Sequence, residues 1–147
     1  MGSPPFLRPL KWAVSGRYYH EAVVADPGVH AEEIGRRLDL ASSPVLHHLR
    51  VLCREGLLVR VAVGRVQHLF PQGRWSPAAM RKMAASRTPG LQELLIVLEQ
   101  NPGLTLAKLA EAAGLTPQRA SKSARRLEWL RLVQKRREGR TVLHYPA

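Results

Sequence analysis

Two stretches of this sequence place polar and basic side chains on one face of a helix. In each stretch the polar residues recur every three or four positions, and apolar residues recur on the opposite face. Arginine can pair with a guanine edge through two hydrogen bonds, and glutamine can pair in the same way with adenine. The pattern therefore predicts side chains that read bases in duplex DNA. The predicted base-reading residues are Ser43, His47, Arg50, Gln118, Lys122 and Arg125.

Further arginines flank these two helix faces. They lie on neighbouring positions of the same predicted helices, or on or beside the tips of two predicted β-hairpins that follow them. Guanidinium groups bind phosphate oxygens, and such contacts position a protein on DNA without reading its sequence. The predicted DNA-backbone contacts are Arg54, Arg65, Arg119, Arg126, Arg136, Arg137 and Arg140.

The two stretches belong to an internal repeat. Residues 21–71 (the first repeat) align with residues 96–146 (the second repeat) at a constant offset of 75, without a gap and with nine identical pairs. The identities include Pro27-Gly28 with Pro102-Gly103 and Gly64-Arg65 with Gly139-Arg140. They fall at helix ends, core positions and hairpin tips, where geometry restricts the residue type. The sequence therefore predicts one fold used twice.

Each repeat is expected to contain three helices. Ser15 is expected to cap a first helix from Arg17 to Ala25, and Thr88, followed by Pro89, is expected to cap its counterpart. Both first helices end at Pro-Gly turns. The second helices cover 31–38 and 106–113, and a short turn leads from each to the third helix. Val45, Leu49 and Leu52 form the apolar face of one third helix, whereas Ala120, Ala124 and Leu127 form that of the other.

After each third helix the period of the pattern changes from 3.6 toward 2, which predicts a two-stranded hairpin. Between the repeats, Ser76-Pro77 is a helix start for residues 78–85. The predicted fold is mainly α with small β-hairpin wings, as two tandem winged helix-turn-helix domains (α+β). The predicted divisions are an N-terminal arm at 1–16, a first domain at 17–71, a basic helical linker at 72–87 and a second domain at 88–147.

These motifs carry a family resemblance. The segment from Leu40 to Leu58 resembles the recognition helix of ArsR-type winged-helix repressors, and the segment from Ala113 to Glu128 is similar to the MarR-type version. The layout as a whole resembles the tandem winged-helix transcriptional regulators frequent in archaea. The resemblance implies that each third helix enters the major groove while the hairpin tip reaches the backbone or the adjacent minor groove. Metal sensing is not implied, because Cys53 lacks the partner cysteine of the ArsR-type sensors.

Composition favours the same class of partner. The 147 residues carry a formal net charge of +12, which favours binding of a polyanion such as nucleic acid. Residues 17–75 contain eight basic and six acidic side chains, whereas residues 88–147 contain ten and five, so we expect the second repeat to bind phosphates more strongly. A single cysteine, the lack of a membrane-length apolar run and the lack of a signal-peptide pattern predict a cytoplasmic, nucleoid-associated protein.

Three functions fit the sequence. The preferred one is a transcription regulator that binds double-stranded DNA, either through both repeats or through the second repeat while the first forms a homodimer. The alternatives are an architectural protein that coats DNA and a protein-interaction module of the transcription machinery. We expect no enzyme, no metal and no cofactor, because the acidic residues are spread along helix surfaces and no phosphate-binding glycine loop or nucleophile set is present.

Overall fold

The computed structural model describes residues 11–38 and 42–147, and within them it contains seven helices and two antiparallel hairpins. The order of three helices followed by a hairpin occurs twice. The elements are α1 (Lys11–Ala25), α2 (Ala31–Leu38), α3 (Ser42–Arg54), β1 (Leu58–Val63), β2 (Val66–Pro71), α4 (Pro77–Ser86), α5 (Leu91–Gln100), α6 (Leu106–Ala113), α7 (Pro117–Trp129), β3 (Val133–Glu138) and β4 (Thr141–Pro146). This is the predicted α+β winged-helix fold. The chain divides into two compact units between Met80 and Arg81.

The predicted apolar faces form the cores of the two units. In the first unit, Val45, Leu49 and Leu52 of α3 are buried together with Tyr19 of α1 and Ile34 of α2. In the second unit, the buried residues of α7 are the three predicted ones, and they accompany buried leucines of α5 and α6. The helical spacing of apolar residues thus predicted correctly which face of each third helix is buried and which points outward.

The wings are two-stranded hairpins with the same register. Val63 pairs with Val66 in the first, and Glu138 pairs with Thr141 in the second, so each turn consists of a Gly-Arg pair. Gly64 and Gly139 have φ angles of 62° and 63°, the conformation that the first residue of a tight II′ hairpin turn requires. Because these turns have two residues, Arg65 and Arg140 lie at the very tips of the wings.

The Pro-Gly turns do more than end the first helices. The amide of Gly28 donates to the Leu69 carbonyl at 2.7 Å, and the amide of Leu69 donates to the Val29 carbonyl at 2.9 Å. In the second unit, Gly103 donates to the His144 carbonyl at 2.8 Å, and the His144 amide donates to the Leu104 carbonyl at 2.9 Å. The chain after each Pro-Gly turn therefore forms an isolated β-bridge with the second strand of the wing, His30 with His68 and Leu104 with His144, and this bridge fixes the wing against its helices.

Two predicted helix starts are wrong. Helix α1 begins at Lys11, so Ser15 lies inside it and does not cap it. The residues from Lys11 to Val14 are all compatible with a helix, and one interior serine costs only a few tenths of a kcal/mol, roughly, relative to alanine. Thr88 is not the cap of α5 either. Its hydroxyl donates to the Ala84 carbonyl at the end of α4, while Gly90 is the N-cap and its amide donates to the Glu93 carboxylate.

Helix α4 begins as predicted and contributes to the second unit. Ser76 accepts a hydrogen bond from the Ala79 amide at 3.1 Å, which is the expected cap. Further along, Arg81 Nε donates to the Leu130 carbonyl at 2.9 Å, and Lys82 Nζ lies 2.9 Å from Glu99 Oε1. Two basic residues of the predicted linker are therefore engaged within the second unit, where Arg81 satisfies a carbonyl at the end of α7. In the part of the chain that the structure describes, no helix is long and apolar enough to cross a membrane.

Candidate nucleic-acid interface

The outer face of α3 carries the basic and polar side chains that the sequence analysis singled out. His47, Arg50 and Arg54 are exposed, on the side opposite the buried Val45 and Leu49. Ser43 lies in the first turn of the same helix, but its side chain is outside the described part of the structure. The outer face of α3 thus presents His47, Arg50 and Arg54 to solvent.

Helix α7 presents the corresponding surface in the second unit. Thr116 caps it by accepting a hydrogen bond from the Arg119 amide at 3.2 Å, and Pro117 occupies its first turn. The exposed residues of its outer face are Gln118, Arg119, Lys122 and Arg125. Arg126 is half-buried, since it lies at the boundary between this face and the core. Trp129, at the end of the helix, has 85% of its surface exposed, so it does not pack under the hairpin.

The wing arginines are exposed beside these helices. Arg65 and Arg140 occupy the tips, and Arg136 and Arg137 lie on β3. The Arg136 guanidinium lies 4.8 Å from the centre of the Tyr145 ring, a cation–π contact that holds this side chain against β4. The predicted backbone contacts of each repeat are therefore on the third helix and on the wing that follows it.

Most of the predicted cations are not neutralised by the protein itself. Ion pairs in the described part of the chain include those of Arg17, Arg36, Arg37, Lys82 and Lys135, and none of these five was predicted to contact DNA. An exposed guanidinium without a carboxylate partner keeps its full charge for an incoming phosphate. The positive charge of the third helices and wing tips is thus available to an external anion.

The two adjacent histidines of α3 have different environments. His48 is buried, and its ring centroid lies 5.0 Å from that of Tyr19, so it packs in the first core. His47 is exposed on the outer face, and its ring lies 5.8 Å from that of His48. Within the described residues, no group of three or more His, Cys, Asp or Glu side chains is arranged to hold a metal ion.

The structure adds residues that the sequence analysis did not assign to the site. A cleft of about 310 Å³ separates α3 from the first wing, and Arg50 and Arg65 line it together with Arg60. Arg60 lies on β1, and its Nη1 donates to Gln67 Oε1 at 3.4 Å. Leu46 and Val66 line the same cleft and are 43% and 42% exposed. The alignment of Arg60 with Lys135 in the repeat is the sequence signal that points to this position.

Two family models match this chain. One is described as an N-terminal helix-turn-helix domain and matches residues 17–82, and the other is the MarR family and matches residues 93–141. These matches support a function of the DNA-binding, transcription-regulator type. The winged helix-turn-helix fold and the MarR-like character of the second half are thereby confirmed, whereas the ArsR-like character of the first half stays a prediction.

Similar solved structures are distant in sequence. A hypothetical protein, PyrSV_gp04 from Pyrobaculum spherical virus, is 20% identical with a TM-score of 0.44, covering 91% of this chain and 94% of that one. ScpB from Mycobacterium tuberculosis is 15% identical with a TM-score of 0.32, over 90% of this chain and 89% of that one. The DIP2311 protein from Corynebacterium diphtheriae is 13% identical with a TM-score of 0.35, over 97% and 27%. Comparison with curated proteins gives no match.

Proposed function

We propose that this protein is a sequence-specific transcription regulator that binds double-stranded DNA through the outer faces of α3 and α7. The observation that carries the proposal is the repetition of one arrangement, in which an exposed polar helix face adjoins a wing with an arginine at its tip. An α-helix fits the major groove, and a wing beside it reaches the backbone or the minor groove. Base readout is assigned to Ser43, His47, Arg50, Gln118, Lys122 and Arg125.

The flanking arginines are assigned to phosphates. They are exposed or half-buried, and they show no ion pair within the described residues, so each can release a counterion when it contacts the backbone. The phosphate set is Arg54, Arg65, Arg119, Arg126, Arg136, Arg137 and Arg140. These contacts fix the orientation of each third helix in the groove, while the base edges supply specificity.

Two arrangements of the repeats on DNA are consistent with this proposal. Either both third helices read DNA, so that one chain recognises two half-sites about ten base pairs apart, or the second repeat reads while the first forms a homodimer. The greater basic excess of residues 88–147 supports the second arrangement. Paired substitutions distinguish them. Equal losses of affinity from Lys122→Ala/Arg125→Ala and from His47→Ala/Arg50→Ala indicate two readers, and a loss confined to the α7 pair indicates one.

A selection of genomic duplex fragments by the full-length protein, at physiological salt and with excess competitor, tests the proposal. We expect an enriched motif and an affinity for it at least ~10³ times that for unrelated duplex. Retention of fragments without a motif indicates the architectural alternative, which the net charge of +12 favours. Absence of duplex binding at low salt contradicts both and leaves the protein-interaction module.

A further inference from the structure

We propose that the cleft between α3 and the first wing is a binding site for a small ligand with an anionic group on an apolar body. Its volume of about 310 Å³ is at the lower end of the range for small-molecule sites, roughly 300–1,000 Å³. The cleft belongs wholly to the first unit, and its lining comes from α2, α3 and both wing strands. Its charge, its apolar surface and its difference from the second repeat support this assignment.

Three guanidinium groups in the cleft indicate that the ligand carries an anionic group. Arg50 from α3, Arg60 from β1 and Arg65 from the wing tip line the cleft, and none of them has an ion pair among the described residues. Glu32 is the acidic residue of the lining, and it leaves an excess of positive charge. Three guanidinium groups that converge on one cleft favour a carboxylate or phosphate, which accepts two parallel hydrogen bonds from arginine.

Apolar side chains of the cleft indicate that the ligand has an apolar body. A surface that binds only DNA phosphates does not need such side chains. Leu46 and Val66 expose more than two fifths of their area at the mouth of the cleft. Leu49 and Leu69, both buried, form its floor. Exposed aliphatic groups beside convergent charges are the composition of a small-molecule pocket, in which apolar contact supplies affinity and a few polar groups fix orientation.

The second repeat lacks this combination. At the offset of 75, Leu46 becomes Ser121, Val66 becomes Thr141 and Leu69 becomes His144. Arg60 becomes Lys135, which is paired with Glu128 at 3.0 Å. The second repeat therefore has the arginines of helix and wing tip, but three of its four corresponding apolar positions are polar and its strand cation is neutralised. Ligand binding is assigned to the first repeat alone, where a bound ligand would compete with DNA for Arg50 and Arg65.

Titration of the isotopically labelled full-length protein with three probes, followed by amide chemical shifts, tests the assignment. The probes are octanoate below its micelle-forming concentration, octylamine as a matched cation, and inorganic phosphate as an anion without an apolar body. We expect saturable shifts with octanoate at Leu46, Val66 and Arg60, and at least about tenfold weaker binding of the other two probes. The mixture contains no DNA, so the outcome is independent of the proposed function.

Substitutions taken from the second repeat sharpen the test. Leu46→Ser/Val66→Thr and, separately, Arg60→Gln should each weaken octanoate about tenfold, whereas Arg54→Gln, an exposed arginine of α3 outside the cleft, should leave it unchanged. All of these residues are exposed, and unchanged amide shifts of first-unit core residues such as Tyr19 and Ile34 verify the fold. Equal binding of phosphate and octanoate, equal binding of octylamine, shifts spread over other surfaces, or no saturable binding each overturn the proposal.

Discussion

Lys135 of β3 forms an ion pair with Glu128 of α7, with 3.0 Å between Nζ and Oε2. The residues at the same positions of the first repeat are Arg60 and Cys53. A carboxylate on the third helix thus neutralises the strand cation in the second repeat, whereas the first repeat has a thiol in its place. Arg60 therefore has no carboxylate partner on α3, and its positive charge is available to the cleft that it lines.

Breaking that pair should strengthen DNA binding. Glu128→Gln frees Lys135 and removes a negative charge from the reading face, so we expect higher affinity for unrelated duplex and a salt slope steeper by up to about one unit. Binding isotherms at several salt concentrations measure both quantities. Glu99→Gln is the matched control, because it frees Lys82 of α4 from a pair with α5, outside the predicted DNA contacts. An equal gain from both variants indicates a general charge effect and contradicts the assigned surface.

Base and phosphate contacts should separate by their salt dependence. Arg125→Ala should weaken the selected site by about 1–3 kcal/mol and relax specificity at one base pair. Arg140→Ala, at the wing tip, should weaken all duplexes alike and reduce the salt slope by about one unit. Competition with single-base variants of the selected site measures the difference. Uniform loss from Arg125→Ala assigns that residue to the backbone.

A backbone constraint distinguishes the two wings. Arg131 has a φ angle of 60°, in the left-handed region, and the aligned residue of the first repeat is Gly56 with a φ of 78°. A side chain in this region costs roughly 1–2 kcal/mol. Arg131→Gly should therefore slow hydrogen exchange of the β3 and β4 amides, and Gly56→Ala should speed exchange in β1 and β2. No atom lies within 4 Å of the Cβ added at Gly56, so the conformation alone is tested there. Unchanged exchange in both variants contradicts the proposed cost of a side chain at these two positions.

The sequence predicted the periodic features of this fold and missed those that depend on particular side-chain contacts or on how the hairpin folds back. The outer and inner faces of α3 and α7 follow from spacing alone, because a buried stripe leaves few orientations for a helix. The start of α5 did not follow, since Thr88 bonds to Ala84 and the Glu93 carboxylate supplies the cap. Arg60 was missed as a site residue because its place in the cleft that Arg50 also lines depends on how the hairpin folds back on α3.

The Pro-Gly turn of the second unit should not tolerate a side chain. Gly103 has a φ of 91°, and a Cβ there would lie 3.3 Å from the Tyr145 hydroxyl oxygen. Gly103→Ala combines a strained backbone with displacement of Tyr145, and we expect a loss of about 1–3 kcal/mol in the free energy of unfolding. Gly16→Ala is the control, because Gly16 lies inside α1 with no atom within 4 Å of the added Cβ. It should stabilise the chain by about 0.5–1 kcal/mol. Urea unfolding followed by circular dichroism measures both, and a neutral Gly103→Ala contradicts the tight turn.

The thiol of Cys53 should react slowly although it lies beside the basic cleft. Burial raises the pKa of Cys53, and the positive charge of Arg60 opposes that shift without cancelling it. Because only the thiolate is nucleophilic, the raised pKa lowers the reactive fraction at pH 7. We expect iodoacetamide to modify the folded protein more slowly than the urea-unfolded chain, with a rate that climbs with pH. Arg60→Gln removes the opposing charge and should slow the reaction further, whereas Arg54→Gln provides the control. A faster reaction in Arg60→Gln than in the unsubstituted protein contradicts this balance of burial and charge.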